Sequence, residues 1–324
     1  MFLLAFLAAA GLGWLILTPF GPETETFVDV APGSSTALIG RQLEAAGVVR
    51  SRFGFDLLRF WKRGTLRAGE YRFDHPAPAP EIYARIARGD VFTKQLTIPE
   101  GSNIFDIAAR VEEAGFGTRQ EFLEAATERI SLVADMDPGA KSLEGYLFPD
   151  TYRFQRKTTP AQIATAMVRR FRAVAGQLGL KENVHEVVTV ASLVERETAV
   201  DRERPLVASV MMNRLGKNMP LMTDPAVIYG LELQGRWRGV LTKSELESKT
   251  AYNTYLHEGL PPGPVANPGV RSLRAAMEPA QTNYFYFVAA GTNAQGESLF
   301  STTLDEHDKQ VAEYRRALKK AGER

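Results

Sequence analysis

No cysteine occurs anywhere in the 324 residues. Its absence excludes disulfide staples, thiolate metal sites and cysteine nucleophiles together. An excess of charge of one sign is also missing, since 39 Lys and Arg stand against 38 Asp and Glu for a formal net charge of +1. Such a chain creates no long-range field to gather nucleic acid, so nucleic acid is not an expected partner. Histidine is scarce. His75, His185, His257 and His307 are scattered and form no helical metal-ligand pair. They read as surface or capping residues, and neither a metal nor a cofactor is expected. No Lys or Arg precedes Arg41, so charge cannot orient the amino-terminal segment relative to a membrane.

That segment is the longest apolar run in the chain. Phe2 to Leu17 carries no charge, and Thr18-Pro19-Phe20-Gly21-Pro22 ends it. Its length is near the lower limit for a transmembrane helix and long for a signal-peptide core, and no small-x-small cleavage site follows. The expectation is an uncleaved single-span transmembrane anchor over residues 1–20.

A repeat follows. Val28-Asp29-Val30-Ala31-Pro32-Gly33-Ser34-Ser35, then Ile39 and Leu43 to Val48, recurs as Leu96 to Asn103, then Ile107 and Val111 to Phe116, at a constant offset (101 − 33 = 68; 115 − 47 = 68). Each copy predicts a short strand, a glycine turn, a Ser or Asn helix cap, an amphipathic helix and a glycine stop. Between the copies, Phe53 to Trp61 shows helical spacing and Ala68 to Phe73 reads as a returning strand. Strand, helix, helix, strand resembles a small carbohydrate-binding LysM module, expected over 26–92, although the same elements would also serve as a spacer. Asp74 to Pro80 is a proline-rich link to a helix near Pro80–Ala87. The second copy forms a connecting subdomain over 93–135, and turn formers at Asp135 to Gly139 open a larger domain over 136–324. The fold class expected is α+β, with a mixed α+β catalytic domain behind the LysM-like βααβ module and the anchor.

The chemistry centres on the apolar helix from Val184 to Thr198. At 3.6 residues per turn, Glu195 lies one turn after Ala191 and two after Val188, in line with Val184, which puts a carboxylate on the most apolar stripe. Apolar surroundings hold a proton on a carboxyl to higher pH, as a general acid requires. Glu195 is the candidate acid, and the small Ala191 and Ser192 leave room over it for a ligand. A structural ion pair with an arginine is the competing account. Glu197 lies roughly 200° further round the helix, so the two carboxylates cannot share a pocket on a regular helix.

Other stretches surround this helix. Leu143 to Tyr152 mixes aromatics with carboxylates, and Pro149 excludes a regular helix there. Aromatic faces beside carboxylates suit sugar rings, with Tyr146 the candidate to stack on one, and a tightly packed core loop is the equal alternative. Thr223-Asp224-Pro225 opens a helix, with Asp224 read first as its cap. Tyr252, Asn253, Thr254 and Tyr255 lead into the Pro- and Gly-rich stretch Gly259 to Gly269, a long fixed loop of the kind that often carries function. A strand from Asn283 to Ala289 and a helix opened by a capping box at Thr303 to Glu306 close the chain.

Glu144 to Tyr152, Ala191 to Thr198, Thr223 to Gly230, Tyr252 to Tyr255 and Gly259 to Gly269, in that order and behind the apolar run, together resemble the endolytic murein transglycosylases, the YceG-like family. Met222, Thr250-Ala251 and Glu297 to Phe300 depart from its usual pattern. The resemblance implies a lyase that cleaves peptidoglycan between N-acetylmuramic acid and N-acetylglucosamine and leaves 1,6-anhydro ends, so terminating or trimming nascent strands. Glu195 matches the glutamate it assigns to catalysis. Glu144, Tyr146, Thr223, Asp224, Tyr252, Asn253, Thr254 and Asn267 are the substrate-binding candidates. Peptidoglycan strands are the expected substrate, peptidoglycan synthases the expected partners, and the inner (cytoplasmic) membrane, with the catalytic domain on its outer side, the expected location. A single acid suits a lyase, because the muramoyl C6 hydroxyl is an intramolecular nucleophile and needs no second carboxylate. Glu144 or Asp224 as a second group would make a muramidase-type hydrolase. A glycan-binding scaffold in which the glutamate is only structural is the non-enzymatic alternative. A cofactor-dependent lyase has little support, since Lys141 and Lys243 read as surface residues.

Overall fold

The computed structural model describes residues 2–62, 64–291 and 296–322; Met1 and the final two residues of the expected terminal segments lie outside them. The chain divides into two compact units, Met1–Lys94 with Arg153–Arg156, and Gln95–Tyr152 with Lys157–Arg324. In the first, helix α1 (Phe2–Leu17) precedes strand β1 (Thr26–Val30), helices α2 (Thr36–Ala45) and α3 (Arg52–Lys62), strand β2 (Gly69–Phe73) and helix α4 (Ala79–Arg88). Strand β1 pairs antiparallel with β2, Thr26 opposite Phe73 and Val30 opposite Gly69. The order strand, helix, helix, strand is therefore present. Val28, Val30, Ile39, Leu43, Phe55, Leu58, Tyr71, Phe73, Ile82 and Ile86 form one core between this ribbon and its helices.

The apolar run expected to anchor the chain forms helix α1. Its 16 residues rise about 24 Å at 1.5 Å each, short of the roughly 30 Å of a bilayer's hydrocarbon core. Among the described residues no helix is long and apolar enough to cross a membrane.

Strand β3 (Lys94–Thr97) pairs with β4 (Thr151–Phe154). The second unit holds α5 (Ile104–Glu113), α6 (Arg119–Glu128), α7 (Pro160–Leu178), α8 (Val184–Glu197), α9 (Arg204–Leu215), α10 (Asp224–Leu233), the single turn α11 (Lys243–Leu246), α12 (Val270–Met277), the antiparallel ribbon of β5 (Tyr286–Ala289) and β6 (Ser298–Ser301), and α13 (Leu304–Gly322). The repeat is visible as geometry. Gly33 and Gly101 turn with φ of 77° and 76°, Gly47 and Gly115 stop their helices with φ of 67° and 69°, and Ser35 and Asn103 cap α2 and α5 with their side chains. A left-handed backbone suits glycine at all four places, because it has no Cβ to clash.

Helix α8 is the centre of the second unit. Val184 and Val188 to Val194 are all buried, and α12, α9 and α10 pack against it. The Pro- and Gly-rich stretch near Gly259–Gly269 has no regular secondary structure, as expected, but it is core rather than surface: every residue from Gly263 to Gly269 is buried. Ser192 explains its position, because the Val265 N–H donates to Ser192 Oγ at 3.1 Å while that hydroxyl donates to the Thr189 carbonyl at 2.7 Å. The space over Ala191 and Ser192 thus holds this loop and not a ligand. Gly145, with φ of 86°, lets the loop and α8 close together, since a Cβ there would lie 2.5 Å from Pro264 Cγ and 2.7 Å from Val188 Cγ1. Gly145→Ala is expected to destabilise the chain by about 2 to 4 kcal/mol, overpacking adding to left-handed strain, as read from the urea-unfolding midpoint.

Candidate active site

The last turn of α8 carries two carboxylates with different surroundings. Glu195 is buried against Arg204, whose Nη1 donates to Glu195 Oε1 at 2.8 Å; both side chains are about one-twentieth exposed. The Gly269 N–H donates to Glu195 Oε2 at 2.9 Å. Arg204 also donates to Ser272 Oγ at 2.6 Å and to Asp201 Oδ1 at 3.3 Å. Both Glu195 oxygens are therefore engaged in fixing α9 and the start of α12 to α8. The apolar stripe that singled out Glu195 is the face of α8 that packs into the core, so its carboxylate meets a structural cation.

Glu197, on the other side of the helix, lines a cavity of about 370 Å³ with Arg214, Thr223, Asp224, Tyr255, Tyr286 and His307. That volume lies within the usual range of small-ligand pockets. Burial pushes the Glu197 carboxyl up to about 7, and the negative charge of Asp224 adds to the effect against partial opposition from Arg214 and Arg196. Among the described residues Glu197 has no ion-pair partner within 4 Å. Arg214 is occupied elsewhere: Nε donates to the Phe285 carbonyl at 2.7 Å and Nη1 to the Leu221 carbonyl at 2.8 Å. It ties the ribbon strand β5 to the loop before α10, and burial draws its pKa down.

The pocket rim is set by the Tyr252 to Tyr255 stretch. The Met222 N–H donates to the Thr254 carbonyl at 3.0 Å, and the Thr223 N–H donates to Thr254 Oγ1 at 2.9 Å. Asn253 braces its own turn by donating to the carbonyls of Leu246 and Ser248 at 2.9 and 2.7 Å. Tyr255 donates its hydroxyl to Asp224 Oδ1 at 2.7 Å. Asp224 is the first residue of α10, and its side chain does not cap that helix; its carboxylate instead belongs to the cavity. On the far wall His307 stacks on Tyr286, ring centroids 5.2 Å apart. Its Nδ1 is buried without a hydrogen-bond partner, and burial lowers its pKa. His307 is neither a surface nor a capping residue.

Of the nine residues singled out from sequence, Thr223 and Asp224 line this cavity, and Thr254 and Asn253 position them from below. The rest lie elsewhere. Glu144 accepts from the Ile104 N–H at 2.8 Å and from Asn267 Nδ2 at 2.6 Å, and burial lifts its carboxyl to about 8. Asn267 also accepts from the Leu147 N–H at 2.8 Å. These two, fully enclosed, hold loops together and present nothing to a ligand. Tyr146 is likewise enclosed, edge-on to Phe171 at 5.1 Å and donating to Asp137 Oδ2 at 2.6 Å; it has no face free for a sugar. Tyr252 packs edge-on against Tyr229 outside the cavity lining, and burial raises its hydroxyl to about 12. Sequence reading missed Glu197, Arg214, Tyr255, Tyr286 and His307. For Glu197 the signal was present: the 200° separation from Glu195 is real, and the pocket lies on the second carboxylate's side. Among the described residues no His, Asp and Glu group could hold a metal ion.

The YceG-like family matches residues 28–313. An endolytic murein transglycosylase of Bacillus subtilis is 32% identical, with 93% of this chain and 89% of that protein aligned. Another, from Streptococcus pneumoniae, is 29% identical over 92% of this chain, which spans 60% of that protein's length. The crystal structure of a yceG-like protein from Listeria monocytogenes superposes with a TM-score of 0.57 at 32% identity, covering 89% of this chain and 99% of that one.

Substituting Glu195 by Gln leaves the buried Arg204 cation with only the half-exposed Asp201 as counter-charge. The expected cost is about 3 to 5 kcal/mol in urea unfolding, and the double variant with Arg204→Met should be less destabilised than the sum of the two single ones.

Proposed function

The chain belongs to the YceG-like family, and from that premise we propose that it is an endolytic lytic transglycosylase acting on peptidoglycan, with Glu197 as its general acid. The observation that carries this reading is a carboxyl held near pH 7 in a cavity, beside hydrogen-bonding groups and without an ion-pair partner. A proton retained near neutrality is what departure of a glycosidic oxygen demands. Glu197 donates that proton as the C1–O bond breaks, leaving an oxocarbenium-like centre on the muramoyl ring. The resulting carboxylate then takes the proton of the C6 hydroxyl while its oxygen attacks C1, closing a 1,6-anhydro ring and restoring the acid. No water is consumed. Because the nucleophile belongs to the same sugar, its effective concentration is high and one carboxyl suffices. Thr223, Tyr255 and His307 supply the polar edges for hydroxyl and acetamido groups, and Tyr286 an aromatic wall.

Asp224, a second carboxylate in the same cavity, is the one observation that favours a hydrolase, since a base beside the acid would activate water. Its bond to the Tyr255 hydroxyl and its part in raising Glu197 suit a supporting role better. In the first unit, a cavity of about 320 Å³ lined by Ala31, Ser34, Thr36, Arg59 and Thr65 is the place where the βααβ module would hold a glycan, as a LysM-like module does. Helix α1, apolar on every side and with Phe2, Leu3, Phe6 and Leu17 exposed, would attach the chain to the cytoplasmic membrane. The catalytic unit then works on the outer side, on nascent strands beside peptidoglycan synthases.

Digestion of purified peptidoglycan with mass spectrometry of the products separates the readings. Anhydromuramoyl ends are expected from the wild type and from the folded fraction of Glu195→Gln, and a loss of at least about 100-fold in Glu197→Gln; reducing muramic ends would establish a hydrolase. The rate should fall as pH rises through about 7, where Glu197 loses its proton. Stability carries the same sign. The fold keeps a proton that the unfolded chain releases near 4.5, so stability decreases from about pH 4.5 to 7, and Glu197→Gln should remove its share of that decrease in pH-dependent thermal melts.

A further inference from the structure

Helix α3 is apolar over one wide arc, and only part of that arc meets the core. Gly54, Phe55 and Leu58 are buried. At 100° per residue, Phe53, Leu57, Phe60 and Trp61 form a stripe about 100° wide beside that buried edge. Phe53, Phe60 and Trp61 are 67%, 70% and 74% exposed. Three large apolar side chains at that exposure on one helix are not scattered surface residues. Such a patch on a folded unit marks an interaction site.

The surroundings point to what covers it. The patch continues into α1, which contacts α3. An apolar groove of about 470 Å³ runs between the two helices, lined by Leu12, Ile16, Leu17, Leu57, Trp61 and Pro80, and Leu17 and the neighbouring Trp14 are themselves exposed. Charge on α3 is one-sided. Arg52, Arg59 and Lys62 stand against Asp56 alone. Arg50, in the turn before the helix, lies over the rings of Trp14 and Phe20 at 4.3 and 4.7 Å. Exposed Phe and Trp on one face with Arg and Lys beside them is the pattern of a helix that lies in the interfacial plane of an anionic bilayer, rings among the acyl chains and cations at the phosphates. A second copy of this chain would bring the same positive charges together. A protein partner would have no need of the continuity with α1.

We propose that the exposed face of α3 seats the first unit on an anionic lipid surface, as a second contact beside α1. The inference deepens the membrane attachment proposed above and rests on it. Its consequence is orientational, because a helix lying in the interface fixes which way its unit faces, whereas one flexible attachment point does not.

The test uses the full chain carrying Trp14→Phe and Trp237→Phe, so that Trp61 alone reports. The chain is mixed with vesicles of phosphatidylcholine alone, or of equal parts phosphatidylcholine and phosphatidylglycerol, each also prepared with chain-brominated lipid. On the anionic vesicles Trp61 emission should shift to the blue and be quenched by the bromines. Arg59→Glu with Lys62→Glu should weaken the shift several-fold, and Phe60→Ser should reduce it while leaving flotation intact. Flotation with unchanged Trp61 emission would overturn the proposal and leave attachment by α1 standing. Neither flotation nor a shift would overturn both. A shift that grows with protein concentration without lipid would assign the face to a second copy instead.

Discussion

Burial of α8 from Val188 to Val194 is the constraint from which the geometry of the second unit's site follows. Enclosed there by three other helices and by an irregular loop, it carries its charged residues only toward its two ends. Its last turn bears two carboxylates on opposite sides. The one facing the core has to be neutralised, and Arg204 with the Gly269 N–H does so. The other faces a cavity where no cation reaches it, and it keeps its proton instead. Ion pairing and protonation are the two ways to avoid a bare charge in apolar surroundings. This helix uses both, two residues apart.

The arginines near the cavity show how the second outcome is protected. Arg214 lies within range of Glu197, yet its guanidinium is spent on backbone carbonyls of two separate segments. It holds the cavity wall to the cavity rim while offering Glu197 only a distant field. Asp224 acts in the opposite sense, raising the carboxyl while fastened to the Tyr255 hydroxyl. The Tyr252 to Tyr255 stretch thereby sets chemistry through position: Asn253 and Thr254 are enclosed and touch only backbone and Thr223, but the rim they build carries Asp224 to the cavity.

Local structure was legible wherever it depends on near neighbours. The two repeat copies, with their glycine turns and polar caps, follow from backbone sterics that act within a few residues, and they occur as read. The βααβ order followed from periodicity in the same way. The α+β class was right. That the sequence pattern points to Glu195 and the cavity to Glu197 has a physical reason. An apolar stripe identifies the face of a helix that is buried, and burial alone does not say whether a pocket or an arginine waits there. Arg204 lies nine residues on and contacts Glu195 only because α9 folds back. Glu144, Tyr146 and Asn267 misled similarly. Polar and aromatic residues in an irregular, proline-bearing stretch look like a binding loop, yet here they satisfy the polar groups of loops sunk into the core. Tyr286 and His307 come from the last ribbon and helix, more than ninety residues beyond Glu195, and no local pattern ties them to it.

A proton held by Glu197 near neutral pH is what the proposed chemistry requires. Carbon-13 NMR of the chain labelled at the glutamate carboxyl carbon tests it directly, the Glu197 resonance being assigned by its loss in Glu197→Gln. A titration midpoint near 7 is the result expected. A Glu197 resonance titrating near 4.5, as an ordinary glutamate does, would contradict the account and return the acid to another residue.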